Sequence, residues 1–582
     1  RLNNDVRNRF IMTGGLKYAF TSWLTGEIRA GGDLYTTNGE NKTYAGSPLT
    51  ATGRYGLYKE TFREANYSTL FTARKDNLFG KIGGMLTLGG NIMQQKSSGI
   101  SGSAGELEVP NLFSLNNSKS NPSVGQSFSQ RQTNSIYGSA QINYEELLFL
   151  EATLRNDWTS TLAKQNRSFL YPSVSASFVF TELMNNTDIL SYGKLRASYA
   201  SVGNDLSPYQ LYNTYWIGKD PNGVTNAGRN STLYNDDVVN ELINSIEVGT
   251  EMRFLKNRFG LDFTFYKTNA INQLMAIPMD PLSGYERKII NAGNIQNTGV
   301  ELVLSGNILR STDGLNWDML FNISRNRNKI VKLAPEEKVT VYGLGGFDNV
   351  QIQAVEGENY GDIYGSTYKR VEDETSPYFG QLILTGEGLP QIGKEKTYLG
   401  NQQAKALLGW TNTLSYKNLS LSFLIDGRFG GEIFSGTRFQ MQFAGTGAET
   451  VTNGERAKYV LEGVVEKEDG TFEVNTKEIT PQQYWRTVPG NLGFTERNIY
   501  DATNIRLRNI QLNYMLPTTL TRKVGIQNAK VGFSINNVWM LKSNILGVDP
   551  ESVFATGTNA IGFENLTAPT SRTYFINLAF NF

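Results

Sequence analysis

The last ten residues of the chain read Thr573-Tyr574-Phe575-Ile576-Asn577-Leu578-Ala579-Phe580-Asn581-Phe582. Large apolar residues occupy every second position from Tyr574 to Phe582, and the residues between them are mostly small or polar. Successive side chains of a β-strand point to opposite faces, so this strand carries one continuous apolar face. Such a strand suits a wall with lipid on one side and water on the other. A soluble β-sandwich can also end on one.

The same alternation recurs along the chain in segments that come in pairs. In the segment 259–273, for example, Phe259, Leu261, Phe263 and Phe265 share one face. We predict eight antiparallel hairpins and one final strand at 572–582. The hairpin strands are about 9–23 with 25–36, 62–75 with 80–96, 133–146 with 147–157, 170–181 with 192–203, 244–256 with 259–273, 293–308 with 315–326, 405–417 with 418–429, and 503–516 with 529–541.

The connections between these segments alternate between short turns and long polar stretches. The long stretches lie at about 97–132, 204–243, 327–404, 430–502 and 542–571. Short turns at one end of the strands and long loops at the other are typical of outer-membrane barrels, whose turns face the periplasm and whose loops face the outside. A soluble multidomain β protein has no reason to sort its loops in this way. The sequence therefore predicts an all-β fold, a transmembrane antiparallel β-barrel occupying residues 1–582.

Composition excludes several other classes of protein. The chain has 582 residues and a mean hydropathy of −0.35, and it contains no run of about 18 apolar residues that would predict a membrane-spanning helix. Without Cys or His, it has no disulfides, thiol chemistry, His-based catalytic triad or His-ligated zinc. The net charge of +1 gives no indication of nucleic-acid binding. Carboxylate-pair catalysis stays open, because 54 acidic residues are present.

The number of predicted strands, about 17, is odd. If Phe582 lies at the periplasmic end, Arg1 falls in an extracellular loop. Single-chain bacterial barrels have even strand numbers, and an open 17-stranded sheet would leave two unpaired edges in lipid. We therefore expect the chain to be the C-terminal part of a larger barrel.

Five segments carry motifs that occur in a fixed order. They are Tyr192–Asn204 ("lR.syg..GN"), Asn291–Leu302 ("N.G...N.GvEl"), Leu399–Gly431 ("iGn…fsyk…lsf..dg..Gg"), Asn504–Pro517 ("lRlkni.lgY.lP") and Asn536–Glu551, which ends in "G.dPe". Together they resemble the SusC/RagA-like TonB-dependent outer-membrane transporters of the Bacteroidetes. Members of that family have a 22-stranded barrel. The resemblance therefore implies that five strands, the N-terminal plug domain and the TonB box are missing from these residues.

The resemblance also implies a function, which is active import of oligosaccharide or peptide nutrients. A SusD-like surface lipoprotein would cap the barrel as a lid, and the TonB complex would open the plug through the missing N-terminal part. This function implies no catalytic residues, no cofactor and no metal. One alternative is a structural or export-associated SusC-like barrel that works in a larger envelope complex without import. A third hypothesis is a barrel hydrolase that works through carboxylates.

Two sets of side chains are candidate functional residues. Ionisable residues on the polar strand faces are expected in the lumen or at its rims, because each would cost ~2–4 kcal/mol on the lipid face at mid-membrane. They either guide substrate or contact a moving plug, or they pair statically with one another; the set is Arg196, Glu251, Arg253, Asp262, Glu301, Arg506 and Arg508. Aromatic residues in the long loops suit stacking on sugars, contact with a peptide or a lid protein, or packing within the loop. These are Tyr209, Tyr212, Tyr215, Trp216, Tyr234, Tyr360 and Tyr364.

Overall fold

The computed structural model describes residues 2–48, 50–220, 222–334, 339–488, 492–554 and 558–581. Within this part of the chain, seventeen strands match the predicted hairpins and the final strand, which confirms an all-β fold. Phe582, predicted as the last strand residue, lies outside the described residues. The seventeen strands are Leu2–Ala19, Leu24–Thr43, Arg54–Phe79, Ile82–Glu106, Ser123–Tyr144, Leu148–Thr159, Ser168–Phe178, Leu190–Asn204, Glu241–Phe254, Phe259–Pro278, Arg287–Leu309, Leu315–Lys332, Ala406–Tyr416, Leu419–Phe429, Asn504–Met515, Asn528–Ser543 and Thr573–Asn581.

The chain divides into two compact units. The first comprises Arg1–Glu182, Arg196–Ile246 and Ala270–Ala292, and the second comprises Leu183–Leu195, Glu247–Asn269 and Gly293–Phe582. The residues of four strands are divided between the two units. They are Leu190–Asn204, Glu241–Phe254, Phe259–Pro278 and Arg287–Leu309.

In the first unit, the seven strands from Leu2 to Phe178 each pair antiparallel with the next one along the chain. The large apolar residues of one face lie opposite one another, as Ile142 does with Leu150. These two side chains are 54% and 47% exposed. A wide, exposed apolar face of this kind needs an apolar environment to cover it.

The second unit contains the strand that closes the chain, and its register confirms the predicted stripe. Tyr574, Ile576 and Leu578 are 61%, 76% and 58% exposed. Their partners across the ladder are Ile535, Phe533 and Val531, which in turn lie opposite Ile510, Leu512 and Tyr514. The apolar face of the last strand therefore continues over at least two neighbouring strands, since residues paired in an antiparallel ladder share a face.

The ranges predicted as long connections contain regular structure of their own. Strand Ile82–Glu106 runs ten residues past position 96, because its ladder with Arg54–Phe79 continues through a ribbon of Ser and Gly. The range 327–404 contains all four strands of an antiparallel sheet. Its strands are Val341–Phe347, Val350–Val355, Tyr360–Tyr368 and Ile392–Asn401. The other short strands are Tyr215–Lys219, Thr225–Arg229, Thr232–Leu233, Ile383–Leu384, Glu432–Ser435, Tyr459–Val460, Val464–Glu466, Phe472–Val474, Glu478–Ile479, Ile499–Asp501 and Phe563–Glu564.

Three short α-helices lie in the described part of the second unit, at Gly436–Phe443, Pro481–Arg486 and Thr518–Thr521. The second of these begins with a capping box, in which the Thr480 side chain accepts a hydrogen bond from the backbone N–H of Gln483, and the Gln483 side chain accepts one from the backbone N–H of Thr480. Among the described residues, no helix is both long and apolar enough to cross a membrane.

The buried apolar residues of the second unit lie mainly in the connections rather than on the long strands. The largest such cluster joins the sheet at 341–401 to residues far along the chain. It consists of Val350, Ile352, Ile363, Phe434, Phe439, Leu492, Ala560 and Phe563. The long connections of this unit therefore pack into one folded layer with its own core, which gives rigid support to the polar groups on it.

Candidate functional site

Arg506 and Arg508 hold the connection at 542–571 to the end of strand Asn504–Met515. The guanidinium group of Arg506 donates to both carboxylate oxygens of Asp549, and its Nε donates to Asn504 Oδ1 at 2.9 Å. Arg508 donates to Glu551 Oε1 and Oε2 at 2.6 and 2.9 Å, and to Asp426 Oδ2 at 2.6 Å. The predicted rim charges thus form an ion-pair network, in which the "lRlkni" motif binds the carboxylates of the "G.dPe" motif.

Asp549 is the most heavily bonded carboxylate of this network. Its side chain is 9% exposed and that of Arg506 is 5% exposed. Burial alone would raise the pKa of Asp549, but the hydrogen bonds from Arg506, the Thr570 side chain and the backbone N–H groups of Glu551 and Thr570 lower this pKa well below its usual range. Asp549 therefore stays ionised and serves to fix Arg506 in place.

The remaining predicted charges lie on the polar faces of their strands. Arg253 donates to Glu251 Oε1 at 2.7 Å, and Lys194 lies 3.8 Å from the other Glu251 oxygen. Arg196 and Asp262 are half-buried, whereas Glu301 is exposed. Both strand neighbours of Arg196 are exposed, as the sequence pattern predicts, whereas Asp262 has an exposed neighbour in Phe263 and a half-buried one in Leu261.

The predicted aromatic residues of 204–243 are spread over an exposed hairpin and its flanks. Tyr215 and Trp216 open the hairpin Tyr215–Lys219 with Thr225–Arg229, and they are 73% and 51% exposed. The indole of Trp216 lies against the bare backbone of Gly228, where a Cβ atom would come within 2.2 Å of the ring.

Arg229 anchors this hairpin to a neighbouring turn. Its guanidinium group lies 4.2 Å from the centre of the Tyr285 ring and donates to the carbonyl oxygen of Gly284 at 2.5 Å. Tyr209 and Tyr212 are both 62% exposed, and Tyr234 is half-buried. Within the described residues, no ring of the five predicted aromatics stacks on another, so the hairpin presents Tyr215 and Trp216 as separate contact groups.

Tyr360 and Tyr364 belong to the four-stranded sheet rather than to a free loop. Burial raises the pKa of Tyr360 to about 12, and Tyr364 packs edge-on against Tyr398 with ring centres 6.0 Å apart. Between them, Asp362 is 1% exposed and accepts a hydrogen bond from Asn401 Nδ2 at 2.7 Å. Burial raises the pKa of Asp362, against the opposing effect of that hydrogen bond.

An aromatic cluster around Arg497 was not predicted. Its guanidinium carbon lies 4.5–5.5 Å from four ring centres, and its Nε donates to the Tyr368 hydroxyl at 2.5 Å. The rings are those of Tyr368, Tyr484, Trp485 and Phe494. The sequence contains no local motif that would predict this cluster, because Tyr368 lies more than a hundred positions before the other residues. The adjacent Tyr484-Trp485 pair was the one local hint.

Several acidic side chains of the second unit pair with arginines. In the described ranges, no group of three or more Asp or Glu side chains is arranged around a common point that a cation could occupy. Asp426, Asp549 and Glu551 each contact an Arg in the network above.

Comparison with known proteins gives a family and a fold. A family model described as "TonB dependent receptor-like, beta-barrel" matches residues 1–379. TonB-dependent receptor P3 of Formosa agariphila is 26% identical over 477 residues, which covers 77% of this chain and 45% of that protein. TonB-dependent receptor SusC of Bacteroides thetaiotaomicron is 26% identical over 292 residues, which covers 47% of this chain and 28% of that protein. The chain thus spans less than half the length of these curated relatives.

Among solved structures, a chain of the RagAB peptide transporter superposes with a TM-score of 0.78 at 19% sequence identity. The match covers 99% of this chain and 62% of that one. A chain of the RagAB peptide importer in the "open-open" state matches with a TM-score of 0.76. At this level of identity, the likeness establishes a shared fold.

Proposed function

This chain belongs to the TonB-dependent receptor-like β-barrel family, and from that premise we propose that it takes part in active import of oligosaccharides or peptides across the outer membrane. The match of the family model to residues 1–379 is the observation that carries the proposal. The family consists of outer-membrane transporters that perform no covalent chemistry on their cargo. The peptide class is suggested by the printed name of the RagAB peptide importer, whose fold this chain shares, and the oligosaccharide class by the resemblance of the sequence motifs to the SusC/RagA-like transporters.

The distribution of exposed side chains supports a membrane location. The apolar stripe of the last strand is exposed from Tyr574 to Phe580, as a surface that faces lipid would be. The long connections of the second unit are folded around their own core, which suits the side of the membrane where substrates arrive. We assign that end of the strands to the outside, and the short turns such as Lys417-Asn418 to the periplasm.

Two partners follow from this function. A SusD-like lipoprotein would cover the outer end as a lid, and the TonB complex would act through the plug domain of the whole protein. Tyr215 is the most exposed of the predicted aromatics at 73%, and Trp216 lies next to it in the exposed hairpin, so we propose these two as contacts for substrate or lid. Tyr209, Tyr212 and Tyr234 flank this hairpin, and Tyr360 and Tyr364 offer a second, more rigid surface.

Uptake measurements on the full-length protein test the proposal. A strain that lacks the gene should lose energised uptake of one labelled oligosaccharide or peptide pool, and the intact gene should restore it. Collapse of the proton gradient should abolish the restored uptake. Undiminished uptake of both substrate classes in the deletion strain would reject import and favour the scaffold role.

The hairpin assignment has a matched control. Trp216→Ala should lower uptake or lid retention ~2–10-fold, the range expected for loss of one aromatic contact. Trp23→Ala removes an equally exposed indole (50% against 51%) at a short turn, and it should change neither. Equal effects of the two substitutions would contradict the assignment while leaving the import proposal intact.

A further inference from the structure

Strand Leu315–Lys332 parts from its neighbour before it ends. Its ladder with strand Ala406–Tyr416 stops at the pair Ser324 and Leu407, and the next bridge joins Lys329 to Asn359. The notch opened by this separation contains a cavity of about 740 Å³. Its lining includes Arg325, Arg327, Lys329, Lys405, Tyr398 and Glu432.

The notch continues the apolar face of the same strand. Phe321, Ile323, Arg325, Arg327 and Lys329 alternate along one strand and therefore share a face. Their cross-strand partners are, in order, Leu304, Leu302, Val300, Thr298 and Gln296, with no register shift between them. The row thus changes from apolar to cationic within one ladder, at the end of the strand that leads into a long connection.

The cationic part of the row is not neutralised within the described residues. Arg325, Arg327 and Lys329 are exposed, and Lys405 is exposed across the notch. These cations repeat at about 6–7 Å along the strand, a spacing that is unfavourable for like charges unless an anion lies between them.

No described residue forms a side-chain hydrogen bond or ion pair with any of these four cations. Among the described residues of the lining, Glu432 is the one carboxylate, and its Oε2 already accepts the backbone N–H of Asn401 at 2.8 Å.

We propose that this notch binds the phosphate group of a glycolipid in the outer leaflet of the membrane, with the acyl chains of that lipid lying along Phe321 and Ile323. An amphipathic anion satisfies both halves of the row, because phosphate pairs with Arg and Lys while the acyl chains cover the apolar residues below. A soluble anion would satisfy the charges alone. The inference uses the orientation assigned above and does not depend on which substrate is imported.

Lipid retained by the full-length protein tests this site. The protein is purified in mild detergent from its native outer membrane, and bound lipids are counted by native mass spectrometry. The triple variant R325Q/R327Q/K329Q should retain about tenfold less phosphorylated glycolipid than the wild type. The matched control K256Q/K417Q/K523Q removes three exposed cations at the short turns and should retain as much as the wild type.

Two further experiments distinguish loss of the lipid site from poor folding of the triple variant. R325K/R327K should keep the lipid. Delipidated wild-type protein should take up lipid again from phosphatidylethanolamine vesicles that contain lipid A, but not from vesicles that contain dephosphorylated lipid A.

Equal retention by the triple variant and the wild type would overturn the proposal. So would displacement of the lipid by millimolar inorganic phosphate alone, which would indicate a site for a free anion. Loss of a bound protein or acidic polysaccharide with unchanged glycolipid would also overturn it. Since the readout is bound lipid, failure here leaves the uptake result unaffected.

Discussion

Asp549→Asn is the most informative perturbation of the arginine network. The carboxylate accepts hydrogen bonds from Arg506, from the Thr570 hydroxyl and from two backbone N–H groups. An Asn side chain of the same shape keeps one acceptor and replaces the other by an NH₂ group. That group would face donors from Arg506 and Thr570, so it would leave buried donors without an acceptor.

The expected loss of unfolding free energy follows from the burial of Arg506 and Asp549. Removing one partner of a buried ion pair costs ~3–5 kcal/mol, because the remaining charge is left uncompensated. Arg506 is 5% exposed, and Glu551 remains 3.5 Å from its Nε as a partial substitute. We therefore expect the free energy of unfolding to fall by ~3 kcal/mol, at the lower end of that range.

Glu551→Gln is the matched control. It removes the same charge two residues away, but Glu551 is 30% exposed and its partner Arg508 keeps Asp426. More exposed pairs contribute less, so this change should cost ~1 kcal/mol. The measurement is urea unfolding of the full-length protein in vesicles, followed by tryptophan fluorescence. A loss below ~1 kcal/mol for Asp549→Asn, or a larger loss for Glu551→Gln, would refute the reasoning from burial.

Two further substitutions test buried groups of the second unit. The pKa of Asp362 is raised in the folded protein, so its ionisation should lower the free energy of unfolding as pH rises from ~4 through that folded pKa. Asp362→Asn should remove this decline, so the variant should be more stable than the wild type at pH 7, and an unfolding free energy that falls with pH in parallel with the wild type would contradict this. Arg497→Lys keeps the charge but loses the planar contact with four rings and the bond to Tyr368, so segment 481–488 should be cleaved faster in limited proteolysis, with a loss of ~1–2 kcal/mol. Arg486→Lys, which faces the single ring of Phe443, is its control and should change cleavage less.

The long strands were predictable because one constraint acts on every residue of them. Lipid on one face and water on the other impose a period of two, and that period is visible in Phe259 to Phe265 as clearly as in the final strand. The predicted turn at Lys417-Asn418 is also local, with Lys417 in the left-handed region at φ 50°. The sheet within 327–404 was not predicted, because its strands bury residues such as Ile352 and Ile363 against Phe434 and Phe563 from distant segments. Such packing leaves no period in the sequence.

The candidate charges also have some properties that the local sequence predicts and others that depend on distant segments. That Arg506 and Arg508 lie on a polar face follows from their positions in the strand. That they bind Asp549 and Glu551 depends on where a connection of some thirty residues folds back, which no local pattern specifies. The aromatic cluster around Arg497 has the same origin, since its rings come from two distant parts of the chain.

Pairing within the fold separates charges that hold the protein together from charges available to a ligand. The sequence left open whether Arg506 and Arg508 contact substrate or plug or pair statically, and in the structure their donors are used by Asp549, Glu551 and Asp426. Arg325 and Arg327 sit beside an apolar row and draw no attention as a motif, yet no described side chain pairs with them. An anionic ligand would have to displace a buried carboxylate at the first site, at a cost of several kcal/mol, and only water at the second. We therefore expect an anionic ligand to bind at Arg325 and Arg327 in the notch before it binds at Arg506 and Arg508 in the network. Charge alone does not distinguish the two pairs of arginines, whereas the presence or absence of a carboxylate partner does.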